Sequence, residues 1–285
     1  MRLGFHVVTF DFDGGPAVMG PTLATVAKTA EEAGFDNLSL MDHYFQIGYL
    51  GDPESPMPEG YTTLGFLAAH TSTVELQLMV SGVTYRHPGL LAKIIATLDV
   101  LSGGRAMLGL GAAWYEEEHR GLGVPFPPLK ERFERIEETL QIVRQMWSDN
   151  DGPYVGRHYQ LERTLCSPQP LRRVPIMLGG MGEQKTLRFV AEYADACNLF
   201  AGAGAERLAA KLDVLARHCS DVGRDPSEIR KTVLWNGEPD SSRLVEDLKP
   251  YSDLGIDEVH LMHFGRQPVE FVRSLEHVVP AIHAL

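Results

Sequence analysis

"PGLLAKIIATLDVLSGGRAMLGLGA" (88–112) holds one complete structural unit. Proline opens it, apolar residues follow at helical spacing to Leu101, and Gly103–Gly104 close it, the usual arrangement of a helix with Pro at its start and Gly past its end. Only a residue later the pattern changes to a short apolar strand, "AMLGLGA" (106–112). The same alternation extends in both directions. Upstream lie strands at 3–8, 37–42 and 74–82 with helices at 22–35 and 61–72. Downstream lie helices at 129–147, 183–194, 205–223, 241–255 and 268–283, with strands at 174–180, 196–200, 229–235 and 258–264 between them. Eight strands, each followed by a helix, in 285 residues with no break in composition predict one closed (β/α)8 TIM barrel spanning 1–285 as a single domain. A doubly wound open sheet is the alternative, and the count of eight favours the barrel. The segment from 148 to 173 is too long for an ordinary connection, so it reads as an insertion before the fifth strand that passes over one face, with "HYQLE" (158–162) as a short extra strand.

Composition narrows the class. A net charge of −12 argues against nucleic acid or an anionic membrane as partner, since both attract basic surfaces. Three widely spaced cysteines, Cys166, Cys197 and Cys219, match neither a metal site nor a disulfide framework and fit a reducing, cytoplasmic setting. The opening "MRLGFHVVTFDFDGG" turns acidic too soon for a signal peptide, and no run of ~18 apolar residues suggests a membrane span.

In a parallel barrel the site lies at the carboxyl ends of the strands. There "SLMDHYF" (39–45) brings Asp42 and His43 to the end of a core strand. A buried, satisfied core histidine is the plain reading of His43. Its strand-end position, the adjacent acid and the neighbouring glycine-rich strand ends favour a proton-handling role, because imidazole titrates near neutrality. Neighbours on a strand point to opposite faces, so Asp42 is expected to grip a ligand or backbone rather than pair with His43. "LGGMGEQ" (178–184) is a glycine-rich turn running into a helix, where backbone N–H groups hold phosphate, or simply a tight turn needing positive φ. "LGLGAAW" (108–114) fails the dinucleotide fingerprint because Trp114 stands where glycine is needed. Its glycines imply close approach of a flat ligand or a packed element. Glu116, Glu117, Glu118 and His119 lack metal-ligand spacing and read as a solvated acidic helix start beside the mouth; no metal is expected. His87 caps the loop ahead of Pro88, Arg86 is placed to meet an anion, and His260 and His263 are further candidates for substrate contact.

Taken together, "AEEAGFDNLSLMDHYF" (30–45), "VTYRHPGLLAKIIATLDVLSGGRAMLGLGAAWYEEEH" (83–119), "GVPFPPLKERFERIEETLQIVRQMW" (123–147) and "PIMLGGMGEQKTLRFVAEYADACNLF" (175–200) make a chain that resembles the bacterial-luciferase-like oxidoreductases nearly end to end. The resemblance is to their branch dependent on the deazaflavin coenzyme F420. It implies that Asp42 helps hold the coenzyme and that His43 handles a proton near its reactive carbon. It also implies a non-proline cis peptide in the third strand, placed at Leu78–Met79, with Leu78 and Met79 behind the ring and Ser81 donating toward it. Gly179, Gly180, Gly182 and Glu183 would cradle the coenzyme phosphate mainly through backbone N–H groups, and Ala112, Ala113 and Trp114 complete the coenzyme-binding set. One departure matters. Sugar-phosphate dehydrogenases of that branch carry a catalytic Glu where this chain has Trp114, which exchanges no proton and would instead form an apolar wall. The implied activity is hydride exchange between F420 and a small organic substrate by a cytoplasmic homodimer. An FMN-dependent monooxygenase fed by a separate flavin reductase is the alternative. A non-catalytic binder of a flat ligand and a phosphate-binding lyase or isomerase are more distant. Lys93, Lys130 and Lys185 fall in helices or loops, which disfavours imine chemistry.

Overall fold

The computed structural model describes residues 1–285. In chain order the strands are β1 (Arg2–Val7), β2 (Asn37–Leu40), β3 (Glu75–Leu78), β4 (Ser81–Gly82), β5 (Leu108–Gly111), β6 (Tyr154–Val155), β7 (Gln160–Leu161), β8 (Ile176–Gly179), β9 (Ala196–Phe200), β10 (Arg230–Trp235) and β11 (Glu258–His263). The helices are α1 (Pro16–Glu32), α2 (Gly60–Ala68), α3 (Pro88–Ser102), α4 (Glu116–Leu122), α5 (Leu129–Met146), α6 (Thr186–Tyr193), α7 (Ala205–Asp221), α8 (Leu244–Asp253), α9 (Pro268–Leu275) and α10 (Val279–His283). The parallel sheet runs β3-β2-β1-β11-β10-β9-β8-β5-β4. Its two ends belong to one strand, because β3 and β4 are separated only by Met79 and Val80, and a parallel bridge from Leu76 to Ala106 joins β3 to the start of the fourth barrel strand. The result is the eight-stranded α/β barrel expected from the alternation.

Side-chain parity explains the layers. Successive residues on a strand face opposite sides. Leu3, Phe5, Leu38, Leu40, Leu76, Leu78, Leu108 and Leu110 face the helices and belong to one large apolar core. Their in-between neighbours fill the barrel interior, which is polar at its base. Arg2 and Arg230 each bridge Glu75 and Glu258, at 2.6–3.1 Å. Burial opposes the charge on Glu258, but His260, Arg2 and Arg230 more than offset that and hold its carboxyl down at about 2. Above this lies His6–Ser39, at 2.9 Å, with His260 3.5 Å from the same hydroxyl. Gly4 is required here, since a Cβ would fall 2.4 Å from the His260 ring. His260 is fully buried in this layer, and His263 stacks on Phe271 at 4.5 Å. Neither lines the mouth, contrary to expectation: His260 faces the barrel interior a layer below the mouth, and His263, of opposite parity, turns onto Phe271.

The insertion forms the β6–β7 hairpin and lies on the outer helical layer. Glu138 of α5 accepts the N–H groups of Arg157, His158 and Tyr159, and Gln145 donates to Thr164. The first helix starts at Pro16, ahead of the expected Thr22; Gly14, Gly15, Gly20 and Pro21 give that segment the look of a loop. His87 caps α3 by accepting from the Gly89 N–H at 3.2 Å, as expected.

Candidate active site

A cavity of about 480 Å³ opens at the carboxyl ends of the barrel strands. Of the residues singled out in the sequence, Asp42, His43, Met79, Ala112, Ala113, Trp114, Gly179, Gly180 and Gly182 line it. Three do not. Leu78 is fully buried in the helix-facing core, as its parity dictates. The cis peptide is Met79–Val80, one residue later than expected, and Met79 and Val80 both face the cavity. Ser81 is thereby turned outward and lies 2.5 Å from the Tyr61 hydroxyl of α2. Glu183 sits outside the mouth, paired with Lys211 at 2.5 Å.

His43 is held by a group that sequence reasoning misplaced. Its Nδ1 donates to Glu118 Oε1 at 2.7 Å. The Tyr85 hydroxyl donates to the same oxygen, and the Tyr44 and Phe45 N–H groups donate to Oε2 at 2.7 and 3.2 Å. Glu118 is therefore wholly buried and multiply bonded, not part of a solvated helix start; only Glu116 and Glu117 are exposed. Burial works against its charge, but the hydrogen bonds from His43 and Tyr85, the charge of His43 and the Tyr44 N–H outweigh it, so the carboxyl lies below its ordinary range. A carboxylate on Nδ1 fixes the imidazole as the Nδ1–H tautomer and leaves Nε2 as the nitrogen able to take a proton. Trp114 stands edge-on to the ring at 5.5 Å and stacks on Tyr115 at 5.3 Å. Across the cavity, His6 is kept neutral: burial, then the charges of His260 and His43, lower it to about 3. A local signal for Glu118 did exist, since Tyr115, Glu118, His119 and Leu122 share one face of α4, and Glu118 and His119 are buried.

Asp42 is committed within the protein. It accepts the Gly82 N–H at 3.0 Å and both of its oxygens take Arg86 Nη1, at 2.7 and 3.0 Å. Burial pushes its carboxyl up, against the pull of Arg86. Arg86 also bridges to Glu59 and lies over the Tyr61 ring at 4.6 Å, so the cation expected to meet an anion already has two acidic partners. Asp42 thus grips backbone, and ties the end of β2 to the end of β4.

The floor of the cavity is built from glycine against Val80. A Cβ on Gly111 or Gly179 would fall 2.6 or 2.9 Å from the Val80 side chain. The close-lying element inferred from the strand glycines is this side chain. Arg132, which sequence reasoning missed, donates to the Ala112 and Ala113 carbonyls at 3.1 and 2.6 Å and so holds Ala113 at φ +57°, a conformation that costs a non-glycine residue about 1–3 kcal/mol. At the glycine turn Gly180 adopts φ +121° and donates to the Asn198 carbonyl, while the N–H groups of Met181, Gly182 and Glu183 find no acceptor within the chain. A flat, anionic-tailed coenzyme fits these features: Val80 beneath, Trp114 at the side, unused N–H donors in the turn that leads into α6.

A family model described as luciferase-like monooxygenase matches residues 4–236. An F420-dependent glucose-6-phosphate dehydrogenase of Microbacterium testaceum is 29% identical over 269 residues, 93% of this chain and 78% of that protein. A pyrimidine monooxygenase of Allorhizobium ampelinum is 29% identical over 211 residues, 70% of this chain and 55% of that protein. The solved structure of an F420-dependent secondary alcohol dehydrogenase in complex with an F420–acetone adduct superposes with a TM-score of 0.85, over 99% of this chain and 98% of that one, at 18% identity.

Proposed function

The chain belongs to the luciferase-like monooxygenase family, and from that premise we propose that it is an F420-dependent oxidoreductase in which His43 moves the proton that accompanies hydride exchange with a small organic substrate. The observation that carries this reading is the buried Glu118 carboxylate on His43 Nδ1, which leaves Nε2 as the exchanging nitrogen at a cavity wall. The F420-dependent relative matched over 93% of the chain supports the choice of coenzyme. Met79, Val80, Ala112, Ala113 and Trp114 would surround the ring, and the turn that Gly179 and Gly180 open would take the phosphate through the backbone N–H groups of Met181, Gly182 and Glu183. When bound, the deazaflavin supplies the carbon that accepts or returns a hydride. His43 takes the proton from a substrate hydroxyl, or gives it back to a carbonyl, so that hydride and proton together make the two-electron change between alcohol and carbonyl. Asp42, held by Arg86 and Gly82, fixes the strand end from which His43 projects. Trp114 and Phe133 give the cavity an apolar wall on one side.

The monooxygenase relative keeps FMN with molecular oxygen as a second reading. The two separate in one titration. Purified protein should bind F420 more tightly than FMN, and reduced FMN should cause no substrate-dependent oxygen uptake. In single-turnover hydride transfer, His43→Ala should lose a factor of about 10² to 10⁴ in rate while F420 affinity changes little. Normal turnover by that variant, or tighter FMN binding with oxygen uptake, would remove the proposal.

A further inference from the structure

Beside the mouth lies a second recess of about 500 Å³, formed where the loop after β2 meets the ends of β9, β10 and β11. Its wall is Tyr49, Leu50, Phe200, Leu234, Met262 and Phe264, with Gly202 and Asn236 completing the lining. Tyr49, Phe200 and Leu234 also line the mouth cavity, so the two spaces adjoin. We propose that this recess is the substrate pocket, and that it takes the hydrocarbon part of a small uncharged alcohol or carbonyl compound. The assignment rests on the oxidoreductase reading given above, and adds the substrate class.

Three observations support it. First, no charged side chain lines the recess. Second, the mouth itself offers no lysine or arginine: its ionisable lining groups are His6, Asp42, His43, Tyr49 and Tyr85. Arg86, behind the wall, is already taken up by Asp42 and Glu59. A phosphorylated sugar placed here would lose water around its charge with no cation to replace it, which is strongly unfavourable. The anionic part of the coenzyme is better served by the unused N–H groups on the β8 side, which leaves the recess to the substrate. Third, Tyr49, Phe200 and Phe264 are 78, 46 and 48% exposed, an unusual amount of aromatic surface to leave in water around a hollow. Asn236 and the Tyr49 hydroxyl are the polar side-chain groups of the recess available to fix orientation.

The test uses the full-length protein without coenzyme. A series of secondary alcohols from 2-butanol to 2-octanol, with glucose 6-phosphate as the anionic comparison, is titrated by ligand-detected NMR. Affinity should rise about fourfold per methylene, the equivalent of about 0.8 kcal/mol, until the recess is full. Glucose 6-phosphate should bind more weakly than 2-octanol. Phe264→Asp, at an exposed position outside the mouth lining, should weaken 2-octanol at least tenfold, with F420 affinity unchanged and Phe264→Leu close to wild type. A flat dependence on chain length, tighter binding of glucose 6-phosphate, or an unaltered alcohol series in Phe264→Asp would overturn the assignment. So would a halving of particle mass in Phe264→Asp with alcohol affinity retained, which would make the recess a contact between copies. Failure of F420 to bind the wild type would defeat the coenzyme reading instead, and the alcohol series without coenzyme would still report on the recess.

Discussion

His43 owes its orientation to Glu118, 75 residues away in sequence. Glu118→Gln keeps the shape but replaces a charged acceptor with a neutral amide, which no longer imposes the Nδ1–H tautomer. Its single-turnover rate should fall between wild type and His43→Ala, and the pH profile of the reaction should move, a change that a purely structural role would not produce. The stability effect has a definite sign. The folded-state pKa of Glu118 is depressed, so its contribution is present above the unfolded carboxylate value of about 4.3 and is lost as pH falls through the folded value. Acid unfolding followed by circular dichroism should therefore show a weaker dependence on pH in Glu118→Gln on the acid side. Glu118→Ala should be worse at every pH, because the half-buried Tyr44 and Phe45 N–H groups lose their acceptor, at up to about 1–3 kcal/mol for each group left unsatisfied. The histidine itself was legible in the sequence, because a strand ending in Asp-His at a barrel mouth is a local pattern. Its partner was not. A run of three glutamates looks solvated until the fold shows that one of them faces inward, and the contact joins residues that only the closed barrel brings together.

The third barrel strand is the element on which the mouth depends. Val80 reaches inward against Gly109, Gly111 and Gly179, and those strands can lie close only because they lack a Cβ there. Gly111→Ala would place a methyl group 2.6 Å from Val80 Cγ2, and a β-branched side chain has few rotamers with which to move away. Overpacking of this kind costs about 1–3 kcal/mol. Gly111→Ala should lower the melting temperature, Val80→Ala should recover most of the loss in the double variant, and calorimetry on the four proteins gives the coupling directly. Additive effects would mean that the two positions do not meet. The strand was recognisable from its apolar run, but its facing was not. A period-2 reading carries parity unbroken from Leu76 to Gly82, whereas here Met79 and Val80 both face the cavity. Ser81 was accordingly placed on the wrong side, and Leu78 was set behind the ring only because the resemblance put the cis bond one residue early. Glu183 divides its roles: its side chain is directed to Lys211, while its backbone N–H stays among the free donors of the glycine turn.

At the scale of the whole molecule, the outer surface of the barrel carries a feature that the charge balance does not explain. A helix on a barrel exterior normally shows water a polar face. On α3 the outward positions include Leu90, Ile94, Thr97 and Leu101, spaced four, three and four residues apart, while the neighbouring Lys93 turns to the Ser167 carbonyl at the edge of this stripe. Leu90 is 64% exposed and Leu101 73%, and Phe66 of the neighbouring α2 is 38% exposed. With a net charge of −12, copies of the chain repel at long range, yet this stripe is a place where they can meet without opposing charges face to face. A self-complementary patch of this kind is what a two-fold dimer uses. The expected particle is a homodimer joined through α2 and α3, with a mass by light scattering about twice the 31.5 kDa of the chain. Leu90→Glu combined with Leu101→Glu puts charge into the contact without touching the core, since both side chains point outward. That double variant should scatter as a monomer with an unchanged far-ultraviolet spectrum. A wild type that already scatters as a monomer at micromolar concentration would leave the stripe without a second copy to cover it, and a double variant that stays dimeric would move the interface to another face.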